Sequence, residues 1–497
     1  MPANQKLLGF GDTPYASPYY SIGVEDCINL YLEKAITLTS KIPNYYISIP
    51  GLKLFSKQTS TDVCRGLYRT ADQRLFGVFG SNLVEILQNG QRLIKGTITT
   101  YSGPVGMVDN THQLFLVDGA FGYILELSTN VFSQIDPNTF PNGATHCDCI
   151  DTQFLANQPN SINYNWSNNN DGLTWDPLNF ADKEGQPDNI VAIKGLSNQL
   201  WVFGSYSTEV HYDTGDITTQ QWQRYEGAVI DIGCSAPYSV AKVEGNIFWL
   251  GSDKAGNAAV WSNNGLTPVK ISNRGIEQLI HSFANNAGGQ ISDAFGYTYA
   301  QAGHVFYVLT FPSADLTIVY DMTTGQWHRR TFLDTLGVEH KWQGYYQAYI
   351  WGLNIFGDNT GDGVYQLSVE YYLNDNPNGV GYNQIKRTRT TPVIQINQKR
   401  VRHNSIQIIF EQGVGLINDS QLGYGVNPQC ILYTSDDSGF TFQNGRVADI
   451  GAIGNYQTRT IFRCLGQSRN RVYRVIVSDP IQVILVGFAL DLEELDF

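Results

Sequence analysis

One pattern recurs along the chain and limits what it can fold into. A run of large apolar residues is followed by a short turn of small or polar residues and then by a second apolar run. At 74–87 (RLFGVFGSNLVEIL) the turn is Gly80-Ser81-Asn82, and two β-rich runs around such a turn read as a β-hairpin. Further units begin at His112 (HQLFLVDGAFGYILEL), Asp151 (DTQFLANQPNSINYNW), Asn198 (NQLWVFGSYSTEVHYD), Asn246, His304 and Leu353. Their first large apolar residues stand at 75, 114, 154, 200, 247, 305 and 355, with gaps of 39 to 58 residues. Hairpins repeated every ~40–50 residues give the spacing of β-propeller blades.

A blade needs four strands, and each hairpin supplies two. Candidates for the others lie between the units, as at 90–100 (GQRLIKGTITT) and 189–194 (NIVAIK). Between the fifth and sixth units, Ile276, Leu279, Ile280 and Phe283 fall at helical spacing, which predicts a helix over 275–286. The widest gap leaves room for an eighth blade or for an insertion carrying that helix. The expected propeller is therefore seven-bladed, within a range of six to eight, and spans 51–370.

The flanks read differently. Residues 1–50 do not fit the repeat and suggest an extended N-terminal arm, in which EDCINLYLEKAI at 25–36 is a short helix or a strand. Residues 371–384 are a turn-rich linker. Beyond it, apolar runs at 392–396, 405–410, 431–435, 458–465, 472–478 and 481–490 have the spacing of a separate C-terminal β-sandwich over 385–497. The fold class is all-β.

Charge supports the same division. Only 15% of the 497 residues are charged and the net charge is −13, which argues against ordinary nucleic-acid binding. From residue 385 onward, however, 12 Lys and Arg stand against 10 Asp and Glu. No run of 18 apolar residues exists, so no membrane insertion is expected. The first residues lack the pattern of a secretory signal. The seven cysteines are scattered, and Cys147-Asp148-Cys149 has no second pair to make a zinc site, so they read as free thiols in a reducing compartment.

Motifs with chemical potential are few. Ser435, Asp437, Gly439, Thr441 and Phe442 fit the Asp-box pattern, and 168–175 (NNNDGLTW) is a degenerate copy. The pattern encodes a turn in which Asp and Ser oxygens bind backbone amides and Gly takes a positive φ. Asp boxes occur in sialidases, so a carbohydrate-binding or sialidase-like hydrolysing propeller is the alternative function. That chemistry needs an arginine cluster and a Tyr/Glu pair near the axis, and none can be picked out. Asp109, Asp118, Asp213, Asp253, Asp321 and Asp358 sit near hairpin turns, where they form Asx turns or converge as ligands. His328-Arg329-Arg330 and His340-Lys341 read as a charged loop. No nucleophile elbow or phosphate-binding glycine loop is present, so neither enzyme activity, cofactor nor metal is expected. Three basic clusters are more informative: Lys386, Arg387 and Arg389; Lys399, Arg400 and Arg402; and Arg459, Arg463, Arg469, Arg471 and Arg474. They read as a docking face for an acidic partner or another subunit, or as solvated strand faces with local ion pairs.

Several segments, taken in order, resemble the tail hub, or packaged-DNA stabilisation, proteins of short-tailed double-stranded DNA phages. They are Asn29-Leu30-Tyr31, Pro50-Gly51-Leu52 with Phe55, Cys64-Arg65-Gly66-Leu67, the 180–188 stretch FADKEGQPD, and the C-terminal SDDSGFTF, RTIFRCLGQSRNRVYR and Val477-Ser478-Asp479-Pro480. The chain departs from the pattern at 460–462 (TIF), where a Trp is expected. The resemblance implies a structural virion protein of the tail, assembled in the host cytoplasm. Its copies would form a homo-oligomeric, hexameric ring below the portal and adaptor proteins. The ring would extend the DNA channel, help retain packaged genomic DNA without reading its sequence, and carry tailspikes or tail fibres and the tail needle. An acidic channel wall would let the DNA slide, since few cations meet its phosphates.

Overall fold

The computed structural model describes residues 6–10, 24–34, 44–58, 62–216, 221–252, 256, 258–285, 290–376, 381–417 and 424–495. Each apolar unit becomes the central hairpin of an antiparallel sheet. Strands such as Leu75–Phe79 and Gln113–Val117 are buried at every position, because both faces of each sheet pack against neighbouring sheets. That is why the runs are continuously apolar and not alternating.

The first four sheets follow the chain. They comprise Cys64–Arg69, Leu75–Phe79, Asn82–Ile86 and Arg92–Thr97; then Gly106–Asp109, Gln113–Val117, Gly122–Glu126 and Phe132–Gln134; then Cys147–Ile150, Gln153–Asn157, Asn163–Asn168 and Asp171–Asp182; then Ile190–Leu196, Gln199–Gly204, Thr208–Asp213 and Trp222–Ile230. In the fifth, Gly233–Cys234 and Ala241–Val243 share the inner position beside Asn246–Ser252, with Ala258–Asn264 and Thr267–Lys270 outside. The sixth holds Phe295–Gln301, His304–Phe311, Leu316–Asp321 and Gln326–Leu333. The seventh holds Tyr346–Ile350, Leu353–Gly357 and Val364–Ser368, and its outer strand is Gly51–Ser56 from before the first sheet.

Inner strands of successive sheets touch, through the turn Pro237–Ser239 between the fourth and fifth, and the seventh touches the first. Among the described residues the ring therefore contains seven sheets, and the fold is a β-propeller. Arg92 clasps the closure: its Nε donates to Ser56 Oγ at 2.9 Å and its Nη2 to Ser56 O at 3.0 Å. Gly51 is needed there, since a Cβ would lie 1.8 Å from Leu373 O.

The expected helix is Arg274–Asn285, and residue 286 lies outside the described set. Asn273 Oδ1 caps it by accepting the Ile276 N–H at 3.0 Å. Ile280 and Phe283 are buried with Phe248, Val260 and Phe311 of the fifth and sixth sheets. The long gap thus carries an insertion packed on the ring.

The C-terminal residues form the β-sandwich. One sheet runs Leu30–Lys34, Asn44–Ser48, Ile484–Glu494, Val401–Phe410 and Thr460–Arg463, with Lys6–Leu8 and Gln467–Ser468 as side branches. The other contains Cys27–Ile28, Arg387–Thr390, Val472–Val477, Gln429–Ser435 and Gln443–Asp449. Leu30, Leu32, Ile406, Phe488, Leu432 and Val475 fill the space between them.

Several expectations change. Of the two readings of 25–36, Cys27–Ile28 and Leu30–Lys34 take the strand, and both strands pair within their own chain. Residues 11–23 of the supposed arm lie outside the described set. The sandwich is not separate either. Cys27–Ile28 pairs in parallel with Gln326–Leu333 of the sixth sheet and antiparallel with Arg387–Thr390, so one ten-stranded sheet runs from propeller to sandwich. The supposed linker contains the hairpin strands Leu373–Asp375 and Tyr382–Gln384. There Asn374 Oδ1 and Asp375 Oδ2 accept the Leu52 and Leu54 N–H groups at 3.0 and 2.7 Å. The 392–396 run makes only an isolated bridge from Ile394 to Arg471, while polar Gln443–Asp449 is an exposed edge strand.

Asn29 is the pin of this joint. It is 1% exposed and has φ of 57°. Its Nδ2 donates to Thr331 O, Thr331 Oγ1 and Lys386 O at 3.2, 3.0 and 2.9 Å, and its Oδ1 accepts the Thr331 N–H at 2.9 Å. The next two residues diverge. Leu30 enters the sandwich core and Tyr31 the propeller-side core beside Phe306.

Candidate partner interface

The propeller axis is the usual place to seek a site, and here all seven sheets line one cavity of about 180 Å³. Ligand pockets run to about 300–1,000 Å³. A duplex, whose major groove alone is about 12 Å wide, cannot enter either. Aromatic rings occupy the axis. His146 stacks on Tyr238 at 4.8 Å, Tyr238 on Phe295 at 6.5 Å and Phe295 on Tyr345 at 4.5 Å. Burial depresses the His146 pKa to about 4, so the ring is neutral. The lining contains no arginine or carboxylate side chain, the groups a sialidase-type site requires.

Charges near the axis are consumed by structure. Buried Asp148 holds Lys194 Nζ at 3.3 Å and Lys242 Nζ at 3.7 Å and accepts the Gly195 N–H at 2.9 Å. Burial raises its pKa, but the two lysines and the amides outweigh this and hold it low. Arg65, in the Cys-Arg-Gly-Leu segment, donates from Nε, Nη1 and Nη2 to Gly103 O, Gly80 O, Thr100 O, Thr100 Oγ1 and Ser102 O at 2.7–2.8 Å. These are staples, not reagents.

The aspartates at the turns behave likewise. Asp118 Oδ1 accepts the Ala120 and Phe121 amides, Asp321 Oδ1 that of Thr323, and Asp358 Oδ1 that of Thr360. Asp109 and Asp213 accept amides two residues ahead, and Asp253 lies outside the described residues. His328, Arg329 and Arg330 are in a strand, not a loop. There Arg330 is buried against the rings of Phe306 and Trp342, each 4.9 Å from its guanidinium carbon.

The Asp box is a turn. Ser435 Oγ donates to Asp437 Oδ1 at 2.6 Å and accepts the Gly439 N–H at 2.8 Å, while Thr441 donates from N and Oγ1 to Asp437 at 2.9 and 2.6 Å. Gly439 has φ of 101° and approaches Val24. Phe442 lies under the Arg474 guanidinium at 3.7 Å.

The structure divides the eleven basic residues proposed as a docking face. Arg387, Arg389 and Arg471 are 1%, 0% and 2% exposed and cannot meet a partner. Burial removes these three from the docking face that the sequence suggests. Arg387 Nη1 donates to Asp479 O at 2.7 Å, Arg389 Nη1 to Asp26 O at 3.2 Å and Nη2 to Tyr46 Oη at 2.9 Å, and Arg471 Nη1 to Leu465 O at 2.7 Å. Arg474 bridges to Asp26 at 3.3 Å and Lys386 to Glu339 at 3.6 Å, both half-buried in the joint. Lys399, Arg400, Arg402, Arg459, Arg463 and Arg469 are exposed. Arg402 and Lys399 pair with Glu493 and Glu494 at 3.0 and 3.5 Å, and Arg459 donates to Gln407 Oε1 at 2.6 Å. Exposed pairs of this kind hold little energy, typically 0–1 kcal/mol or about that, so these side chains remain available for exchange.

A second surface escaped the sequence reading. At the far end of Asp171–Asp182, a groove of about 250 Å³ is lined by Asp182, Glu184, Glu209 and Glu226 together with His211 and Arg224. Glu209 is fully buried and accepts the Gly185 N–H at 2.6 Å. Neighbouring Lys183 is buried in a short ion pair with Asp188, which also accepts the Tyr206 and Ser207 amides. The FADKEGQPD stretch is thus a clamp between the third and fourth sheets whose exposed carboxylates face out. Its Asp and Glu spacing was the available signal.

Comparison with known proteins gives two matches in chain order. A family model described as "Bacteriophage P22 Gp10, beta-propeller" matches residues 28–372, and one described as "Bacteriophage P22 Gp10, beta-sandwich" matches residues 386–493. No curated protein matches. Among solved structures, a streptogramin B lyase is similar at 10% identity and TM-score 0.41, covering 68% of this chain and 98% of its own. The WD40 propeller domain of Doa1 is similar at 9% identity and TM-score 0.40, covering 64% and 97%. BamB from Moraxella catarrhalis is similar at 11% identity and TM-score 0.38, covering 68% and 97%.

Proposed function

Since the chain belongs to the bacteriophage P22 Gp10 family, we propose that this virion structural protein is a tail hub. Copies of the chain form a ring, hexameric by the family resemblance, below the portal and adaptor. The ring extends the DNA channel, helps retain packaged DNA and anchors tailspikes or fibres and the needle. The observation that carries the reading is the pair of matches, which together span both the propeller and the sandwich. Two features support it. The aromatic axis admits no duplex, so the DNA path is the hole between copies and not the propeller's own centre. Residues before 385 carry most of the negative charge, so a wall built from them repels phosphates and leaves DNA free to move.

Negative-stain imaging of the protein mixed with its phage's portal–adaptor complex tests the reading. The expected image is added ring density at the distal end of the adaptor. A protein that stays monomeric by light scattering and leaves the complex unchanged refutes it.

A further inference from the structure

We infer that copies of this chain join head to tail, with the basic outer face of the sandwich seated on the acidic, apolar rim of the third and fourth propeller sheets of the next copy. The inference rests on the ring reading above and names its contact surfaces.

The basic face follows from strand order. In the sheet Leu30–Lys34, Asn44–Ser48, Ile484–Glu494, Val401–Phe410, Thr460–Arg463, the first two strands lie on the propeller side, where Tyr31 and Ile49 enter its core. Val401–Phe410 and Thr460–Arg463 are one and two strands beyond Ile484–Glu494, roughly 5–10 Å further out. Buried and outward residues alternate along them. Phe462 points into the core, so Arg463 beside it points away; Val401 and His403 are buried, so Arg402 between them points outward, and a bulge at His403–Ser405 shifts the phase before Ile406. Arg463 stands opposite Ser405, and Arg459 reaches Gln407 on the same strand. Ile453 and Tyr456, 53% and 68% exposed, add apolar area on the adjoining loop.

The complementary surface lies across the ring. The sandwich is fused to the sixth sheet, and the hairpin strand Leu373–Asp375 that leads into it touches the seventh. In a ring of seven, the third sheet lies opposite the seam between the sixth and seventh, and the fourth stands beside it. There Asp171–Asp182 forms an outer edge strand twelve residues long. It exposes Leu178 (80%), Phe180 (47%) and Leu173. Asp182, Glu184 and Glu226 flank that apolar row at the groove, and the positive charges beside them are engaged: Lys183 with Asp188, and Arg224 with Glu209 at 3.7 Å.

Charge sign, apolar content and position agree. One end of the molecule is basic with exposed Ile and Tyr. The opposite end is acidic with exposed Leu and Phe. Different surfaces at opposite ends make a heterologous contact, which closes into a ring when the rotation between copies allows it. The occupant of each surface is therefore the other surface of a second copy.

Charge reversal tests this with the full chain. One variant carries Arg402→Glu and Arg463→Glu, a second carries Glu184→Lys and Glu226→Lys, and a third carries all four. Assembly on the portal–adaptor complex is read by negative stain and sedimentation, and thermal melting confirms folding. All four side chains lie at the surface. The expected result is loss of the ring-sized species in the first two variants and its return in the third, where the repulsive pairs become attractive again. Assembly of the first two variants like the unaltered chain overturns the inference while leaving the hub reading intact. So does a folded third variant that stays dispersed. Failure of the unaltered chain to assemble overturns the hub reading, and the inference falls with it.

Discussion

Replacing Asn29 with Ala removes four hydrogen bonds at a site with no access to water. The Thr331 N–H loses its acceptor at 2.9 Å and Lys386 O its donor at 2.9 Å. Each buried group left without a partner costs about 1–3 kcal/mol. Ala must also keep the left-handed backbone, φ 57°, which adds about 1–2 kcal/mol. The total is about 3–8 kcal/mol, concentrated in the strand that joins propeller to sandwich. Asn29→Gly loses the same bonds without the backbone cost, so it should be milder than Asn29→Ala by about 1 kcal/mol. Hydrogen exchange reads the effect directly at the Thr331 amide. A loss of about 3 kcal/mol corresponds to a fall in protection of roughly a hundredfold. Unchanged protection at Thr331 in both variants, or Gly behaving worse than Ala, refutes the reasoning.

Three further outcomes are expected. Gly51→Ala forces a Cβ into Leu373 O, 1.8 Å away, and should cost about 3 kcal/mol by displacing the closing strand; an unshifted thermal melt would contradict that. His403 is held to a pKa of about 4, first by burial and then by Arg471, against an ordinary value of 6.5. The folded state refuses a proton that the unfolded chain accepts, so its contribution is intact above pH 6.5 and declines as the pH falls towards 4, by about 3 kcal/mol. Denaturant titrations of His403→Gln should show a flatter pH dependence over that window. Asp437→Ala removes the acceptor for Ser435 Oγ and for Thr441 N and Oγ1. It should destabilise the turn by about 1 kcal/mol, measurable as faster exchange of the Thr441 amide.

What the sequence reveals here depends on how local the cause is. The hairpins are legible because a buried two-sided strand needs a continuous apolar run, and Leu75–Phe79 is one. The helix is legible because Ile276, Ile280 and Phe283 share one face. The joint is not legible, since Cys27 meets Arg389 and Ile28 meets Arg329 across more than 300 residues, and pairing at that distance leaves no periodic trace. Basic residues misled for a related reason. Arg387 and Arg389 look like solvated cations, yet they sit in a central strand buried at all four positions. Their terminal nitrogens donate mainly to backbone carbonyls, an acceptor every residue carries. The exposed strand Gln443–Asp449 is not legible either, because an edge facing water on both sides has no apolar signature. The acidic groove required two sheets to meet, which only the ring achieves.

The order in which the chain is made runs against the order in which it can be completed. Gly51–Ser56 has no pairing strand until Val364–Ser368 emerges, and Cys27–Ile28 has none until 326–333 and 387–390 exist. At ~5–20 residues per second, Leu30 and Tyr31 wait several tens of seconds beside the ribosome before their two cores form. The first residues translated are among the last to fold, so a chain truncated before residue 364 leaves both the propeller and the joint open, and one truncated between 369 and 387 leaves the joint incomplete.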